Sequence, residues 1–219
     1  MAKPDNMPTA DGPLPHCVSD GAVAPDEVAG RASSGAVEAG REELHFRRID
    51  MRGFRRRDGL FEIEGRVVDR KPFDFISVGG GKTVPANQPI HDMGVRLVFD
   101  DAMVVHEVHA FTDSAPYAAC PEAGRAMQTL VGLRMSSGWN REVRNRLAGA
   151  RGCTHLMELL QPLATAAFQS LSKVRMGQPE KFDANGRPAK IDSCFAYAAG
   201  GELVLQRWPA FHRPEDSAT

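Results

Sequence analysis

Between Leu156 and Leu171 the chain sets Leu156, Leu159, Leu160, Leu163, Ala164, Ala167, Phe168 and Leu171 mostly three and four positions apart. That period marks one apolar face on a long helix, and the spacing predicts a helix from about 153 to 172. Such a face has to be buried against another element. The upstream segment Leu60-Phe-Glu-Ile-Glu-Gly-Arg-Val-Val-Asp69 alternates apolar and polar residues, as a half-buried strand does. Ile90–Phe99 and Met103–Phe111 read as two further strands, antiparallel because the turn at Asp100-Asp101 is short. Residues 44–57 read as an entry strand. Two shorter helices are expected between strands and long helix: one over 120–132 ending at Gly132, and one capped by Ser136 or Ser137 and stopped near 147 by Gly149. Asp192–Tyr197 and Glu202–Arg207 look like a closing strand pair. Strands first, then helices, then a hairpin imply an α+β fold, a small antiparallel sheet packed against about three helices.

Composition bounds the rest. Residues 1–40 are rich in Pro, Gly, Ala, Ser and Asp and poor in large apolar side chains, so they cannot offset their chain entropy by burial. They are expected to be a flexible N-terminal segment, with 41–219 a single domain. Lys3 is followed by no apolar core of a secretory signal, and no apolar run approaches the roughly 20 residues of a membrane span. A cytoplasmic protein without a membrane partner is expected. The formal net charge of −1 does not suit a nucleic-acid binder. The local exception is the run from Arg47 to Arg57, with Arg48, Arg52, Arg55 and Arg56. It is a solvated strand with alternating arginine faces, a phosphate-binding patch, or a clamp for an anionic substrate. Gly79-Gly-Gly81-Lys82-Thr83 lacks the first glycine of a phosphate loop at the required offset, so 71–89 reads as a mobile lid.

The chemistry-bearing residues gather in a few places. Cys153 and His155 stand two apart at the expected start of the long helix, where unpaired N–H groups and the helix dipole favour a thiolate. Cys120 leads an earlier helix in the same manner. Together with Cys194, these residues form a sulfur and nitrogen set of the kind that holds zinc or an iron–sulfur cluster. No CxxC pair nucleates such a site, so no metal or other cofactor is favoured. The four cysteines include Cys17 in the core-poor segment, and no disulfide is expected. His91 and Asp92 are neighbours on a strand and point to opposite faces unless a bulge intervenes. One is then a base or ligand and the other structural. His106 and His109, three apart, also fall on opposite faces. Tyr117 is a candidate hydrogen-bond donor, Arg134 a candidate carboxylate partner, and Trp139 a pocket wall or core residue. No serine elbow, dinucleotide fingerprint or HExxH zinc motif is present.

Taken together, Pro89-Ile-His-Asp-Met93, Pro116-Tyr-Ala-Ala-Cys-Pro121, Leu130-Val-Gly132, Gly138-Trp139, Gly152-Cys-Thr-His-Leu156, Ala164-Thr-Ala-Ala-Phe168 and Asp192-Ser-Cys194 resemble the bacterial family called domain of unknown function 2889. The resemblance covers roughly 44–206 and leaves the N-terminal segment out. A fainter similarity, of a strand pair followed by two cysteine-led helices, is to the iron–sulfur cluster scaffold fold, with Cys120 and Cys153 at ligand-like places. Tyr117 and Pro121 replace that fold's small-residue loop, and His155 follows its cysteine rather than preceding it. This implies likeness of fold rather than cluster assembly.

The expected function is acid–base catalysis on a small molecule without a nucleotide cofactor, of lyase or isomerase type. The substrate would be a small aromatic or carboxylate-bearing metabolite. His91 or His155 would be the base, Tyr117, Asp92 or Arg134 would assist, and Arg134, Trp139, Cys120 and Cys153 would line the substrate. Two rivals stand beside this. One is a metal or iron–sulfur protein using Cys120, Cys153, His155 and Cys194. The other is a non-catalytic anion-binding module built on Arg47–Arg57. Homo-oligomerisation is left open.

Overall fold

The computed structural model describes residues 40–79 and 82–214. The expectation for residues 1–40 therefore lies, apart from Gly40, outside the described residues.

Four strands, β1 (Phe46–Arg55), β2 (Phe61–Arg70), β5 (Pro89–Phe99) and β6 (Val105–Ser114), form one antiparallel sheet in the order β1-β2-β5-β6. Between β2 and β5 a two-stranded ribbon, β3 (Phe75–Ile76) and β4 (Thr83–Val84), occupies part of the stretch expected to be loop. The alternation in β2 does what its period requires. Phe61, Ile63, Val67 and Asp69 are buried on one face, with Glu62, Glu64 and Arg66 partly exposed on the other. In β5 the matching inward set is Met93, Val95, Leu97 and Phe99.

Helix α1 (Trp139–Leu147) and helix α2 (Thr154–Ser170) cover that face. Leu156, Leu159, Leu160, Leu163 and Ala167 of α2 are fully buried against β2 and β5. The helix runs along β1: Glu158 meets Arg47 near the strand's start, and Ser170 sits over Gly53 near its end. Two glycines allow this close approach. A Cβ at Gly53 would lie 1.8 Å from Ser170 Oγ, and one at Gly65 would lie 3.1 Å from Leu163. Trp139 ties α1 to α2, its indole N–H donating to the Leu160 carbonyl at 2.9 Å.

Three expectations need correction. The segment 120–132 is a 3-10 helix over Cys120–Leu130, with Met127 and Leu130, three apart, on its buried side. Neither Ser136 nor Ser137 caps α1: its N-cap is Gly138, whose φ of 91° is left-handed backbone that glycine adopts without strain. The closing strand pair is absent. Phe195–Tyr197 is a single 3-10 turn and Glu202–Arg207 is a helix. After the five-residue helix α3 (Ser172–Met176), that helix is α4. The run Leu203-Val204-Leu205 does not alternate, and Val204 and Trp208, four apart, instead pack with Ile191 into a second small core. Glu202 in the first turn and Arg207 in the last also suit a helix dipole. No helix among the described residues is long and apolar enough to cross a membrane.

Candidate functional site

The strand register places Arg47 opposite Asp69, and Asp69 opposite His91. Side chains directly opposite across antiparallel strands share a face, so these three form a polar row across the end of the helix-covered face. One step inward the pair Val67 and Met93 is apolar and buried. The head of α2 closes over the row. Arg47 Nη1 bonds Glu158 at 2.6 Å and holds the helix start in place, with Cys153 at its N-cap.

Asp69 is the hub. Its side chain is 1 % exposed, and both oxygens accept from one guanidinium, Arg47 Nε at 2.7 Å and Nη2 at 2.9 Å. Two further imidazole nitrogens lie 3.2 Å from its oxygens, Nε2 of His45 and Nδ1 of His91. Nε2 of His155 is 3.9 Å away. The His91 and His155 rings stack with centroids 3.8 Å apart and planes tilted by 32°. Nδ1 of His155 faces Cys153 Sγ at 3.8 Å, and the Met93 sulfur lies 3.8 Å from the same thiol.

These contacts set the protonation states. Burial pushes the Asp69 carboxyl up, but the hydrogen bonds and charge of Arg47 outweigh it and hold Asp69 below the usual carboxylate range. His91 is pushed below an ordinary histidine, first by burial and then by the charge of His155. His155 moves the other way, raised chiefly by its hydrogen bond to Cys153. At Cys153 burial opposes the anion, yet the His155 imidazole and the amides of Leu156 and His155 bring the thiol below its ordinary range. The cluster therefore favours an ionised Asp69, and it drives the two stacked imidazoles apart, His91 toward its neutral form and His155 toward its protonated form beside a thiol whose anion is favoured.

The expected site residues divide. His91, His155 and Cys153 come together. Asp92 lies on the opposite face of the sheet, bonded by Arg66 at 2.6 and 2.8 Å, as the alternation of adjacent strand residues requires. The Tyr117 hydroxyl donates to the Val78 carbonyl at 3.1 Å. Arg134 is exposed, and Trp139 is a buried core residue. Cys120 is half-buried at the head of its 3-10 helix and Cys194 is exposed. Of the arginine run, Arg47 turns inward to Asp69, Arg48 pairs with Asp50, and Arg56 pairs with Asp58.

Sequence reasoning missed Asp69, His45 and Met93, and did not single out Arg47 within its run. Asp69 carried a signal: it continues the inward register of Phe61, Ile63 and Val67, and an acid at an inward position needs partners. His45 carried none.

Among the described residues, the donor atoms of Asp69, His91 and His155 form the one group of three or more His, Cys, Asp and Glu close enough to share a cation, all within 4.8 Å of one another. Cys120 and Cys194 are not in it. Arg47 already occupies both carboxylate oxygens and fixes a positive charge beside them, which favours a proton network over a cation. An open groove of about 590 Å³ lies elsewhere, between α1 and the middle of α2, with Trp139, Arg144, Gln161 and Phe168 among its lining. It holds no thiol, imidazole or carboxylate and so offers no acid–base pair.

No curated protein and no solved structure matches the chain. One family does, described as a protein of unknown function, DUF2889, over residues 45–169. That span holds the whole cluster from His45 to Glu158 and stops short of Cys194 and the second small core. The chain belongs to the DUF2889 family.

Proposed function

We propose that this protein is a small-molecule enzyme of lyase or isomerase type, in which His91 accepts a proton from a carbon acid and His155 delivers one. The observation that carries this reading is the pair of stacked imidazoles sharing one buried carboxylate while their surroundings drive their protonation apart. Proton transfer at carbon needs an empty and a filled proton site side by side at one pH, and divergent environments supply both. An ionised Asp69 only accepts hydrogen bonds, so the His91 proton sits on Nδ1 and Nε2 carries the basic lone pair. His91 is 17 % exposed and His155 25 %, so a small substrate can reach both. Arg47, Arg48 and Arg56 are each committed to carboxylates of this chain, which leaves the anion-binding reading of that run less support.

The test follows exchange of carbon-bound protons for deuterium by proton NMR, over a panel of 2-oxo acids, 3-oxo acids and aryl-substituted carboxylates in deuterium oxide. Exchange above background is expected for at least one class. His91→Gln should lower it by about two to four orders of magnitude while leaving the circular dichroism spectrum intact. Wild-type exchange rates in both His91→Gln and His155→Gln would overturn the proposal.

A further inference from the structure

We propose that Cys153 is a covalent nucleophile in this site, acting on small compounds with a carbon–carbon double bond conjugated to a carbonyl. The inference rests on the acid–base reading of His91 and His155 and names the substrate class that the same site would take.

The three free cysteines of the described residues differ in their surroundings. Cys194 is exposed, and Cys120 heads a 3-10 helix outside the cluster. Cys153 alone among them faces an imidazole, with His155 Nδ1 at 3.8 Å, and that ring is followed by the Asp69 carboxylate 3.9 Å from its other nitrogen. A thiol, an imidazole and a carboxylate in that order are the arrangement that activates a sulfur nucleophile, the thiol proton passing to the ring. Cys153 is half-buried and packs against the main hydrophobic core on one side, with the Met93 sulfur 3.8 Å away, while its sulfur faces the His155 imidazole at the edge of the polar cluster.

The stacked imidazoles beside the sulfur select the chemistry. A site that takes and gives protons at carbon works through enolates, and a thiolate adding to a conjugated alkene produces one. The negative charge of that addition develops on the substrate's own carbonyl, away from the carbon attacked. The thiolate forms a bond to the β-carbon, and the alkene π pair moves to give an enolate whose oxygen can accept from protonated His155. The former double bond is now single and turns. The enolate pair then re-forms the alkene and expels the thiolate, giving the other geometrical isomer. No atom is gained or lost and nothing is oxidised or reduced.

The first experiment alkylates the full chain with limiting iodoacetamide across a pH series and follows Cys120, Cys153 and Cys194 separately by peptide mass spectrometry. The groups that set the profile are His155 and Glu158 from α2, His91 from β5, Asp69 from β2, and Arg47 with the preceding His45 from the edge strand. Near pH 6.5, Cys153 should react at least about tenfold faster than exposed Cys194. His155→Gln should bring Cys153 down to the Cys194 rate without changing Cys194. A Cys153 rate no greater than that of Cys194 in the wild type overturns the nucleophile.

The second experiment incubates the protein with dimethyl maleate and reads the alkene protons by NMR and the protein mass. Conversion to the trans ester, or an adduct confined to Cys153, is expected, and both should vanish in Cys153→Ser. Neither isomer nor adduct from the wild type overturns the substrate class. The two readings fail separately. Wild-type deuterium exchange in Cys153→Ser overturns the covalent role and leaves the histidine pair standing. Fast alkylation of Cys153 beside an exchange panel that never responds leaves the thiol and removes the carbon-acid reading.

Discussion

The sheet carries two nearly identical arginine–aspartate forks, one on each face. Inside, Arg47 grips Asp69 at 2.7 and 2.9 Å; outside, Arg66 grips Asp92 at 2.6 and 2.8 Å. The outer fork adds Asp113 at 2.9 Å and stays open to water, with Asp92 14 % and Arg66 43 % exposed. The inner carboxylate is 1 % exposed and lies beneath the head of α2. What separates them is therefore not the bond but its cover. Once the helix head excludes water, the same carboxylate orients imidazoles and shifts their proton affinities, whereas the outer one only neutralises a neighbour. The two forks are reached from adjacent residues of one strand, His91 and Asp92, so a one-residue step along β5 crosses from the buried imidazole cluster to a solvated ion pair.

The largest expected difference is in stability. Asp69→Asn leaves Arg47 and two imidazoles around a neutral amide, and should cost on the order of 3 kcal/mol at pH 7. Asp92→Asn should cost less than about 1 kcal/mol. Urea unfolding of both variants beside the wild type reads this directly, and equal losses would break the comparison. The pH dependence follows from the sign of the Asp69 shift. Its folded pKa lies below 3.8, so its contribution is present above that unfolded value and is lost as pH falls through the folded one. The gap between wild type and Asp69→Asn should therefore close in strong acid.

How much of this was legible in the sequence depends on how local each cause was. The leucine spacing of α2 and the alternation in β2 each follow from one element's own period, and both appear as read. The GCTHL segment placed Cys153 and His155 together because two residues at a helix start have few ways to part. Asp69 required one more step, continuing the β2 alternation to its last inward position. The convergence of Arg47, Asp69 and His91 needed the register between three strands, which pattern within one segment does not carry. The closing hairpin was misread for a related reason. Over a six-residue run the strand and helix periods are hard to tell apart, and the contact that decided it, Val204 with Trp208 and Ile191, lies outside the run. Cys120 and Cys194 looked like partners of Cys153 only while position in space was free.

A smaller effect, within the inner cluster, is a coupled titration. Cys153→Ser removes the foremost cause that raises His155, so the His155 midpoint should fall. His91 is held down in part by the charge on His155, so its midpoint should rise as that charge is lost. Opposite movements of two midpoints from one substitution, followed by nitrogen-15 NMR of the imidazoles, are a signature that a merely structural cysteine does not produce. Unmoved midpoints would mean that the inner fork, too, only neutralises a neighbour.

The smallest expected effect tests the separation of the faces from the other side. Arg66→Gln removes the outer fork, leaving Asp92 and Asp113 close together at a surface where water and salt screen them. Stability should change by less than about 1 kcal/mol, and by still less in high salt. Asp92 is the next residue along from His91, so a field passing through the sheet would appear first as a moved His91 midpoint. The sheet backbone lies between the outer fork and the imidazole pair, and solvent screens the outer charges, so that midpoint should stay at its wild-type value. A His91 midpoint that shifts in Arg66→Gln as it does in Cys153→Ser would show that both faces share one electrostatic unit, and the acid–base pair would then have to be redrawn to include Asp92.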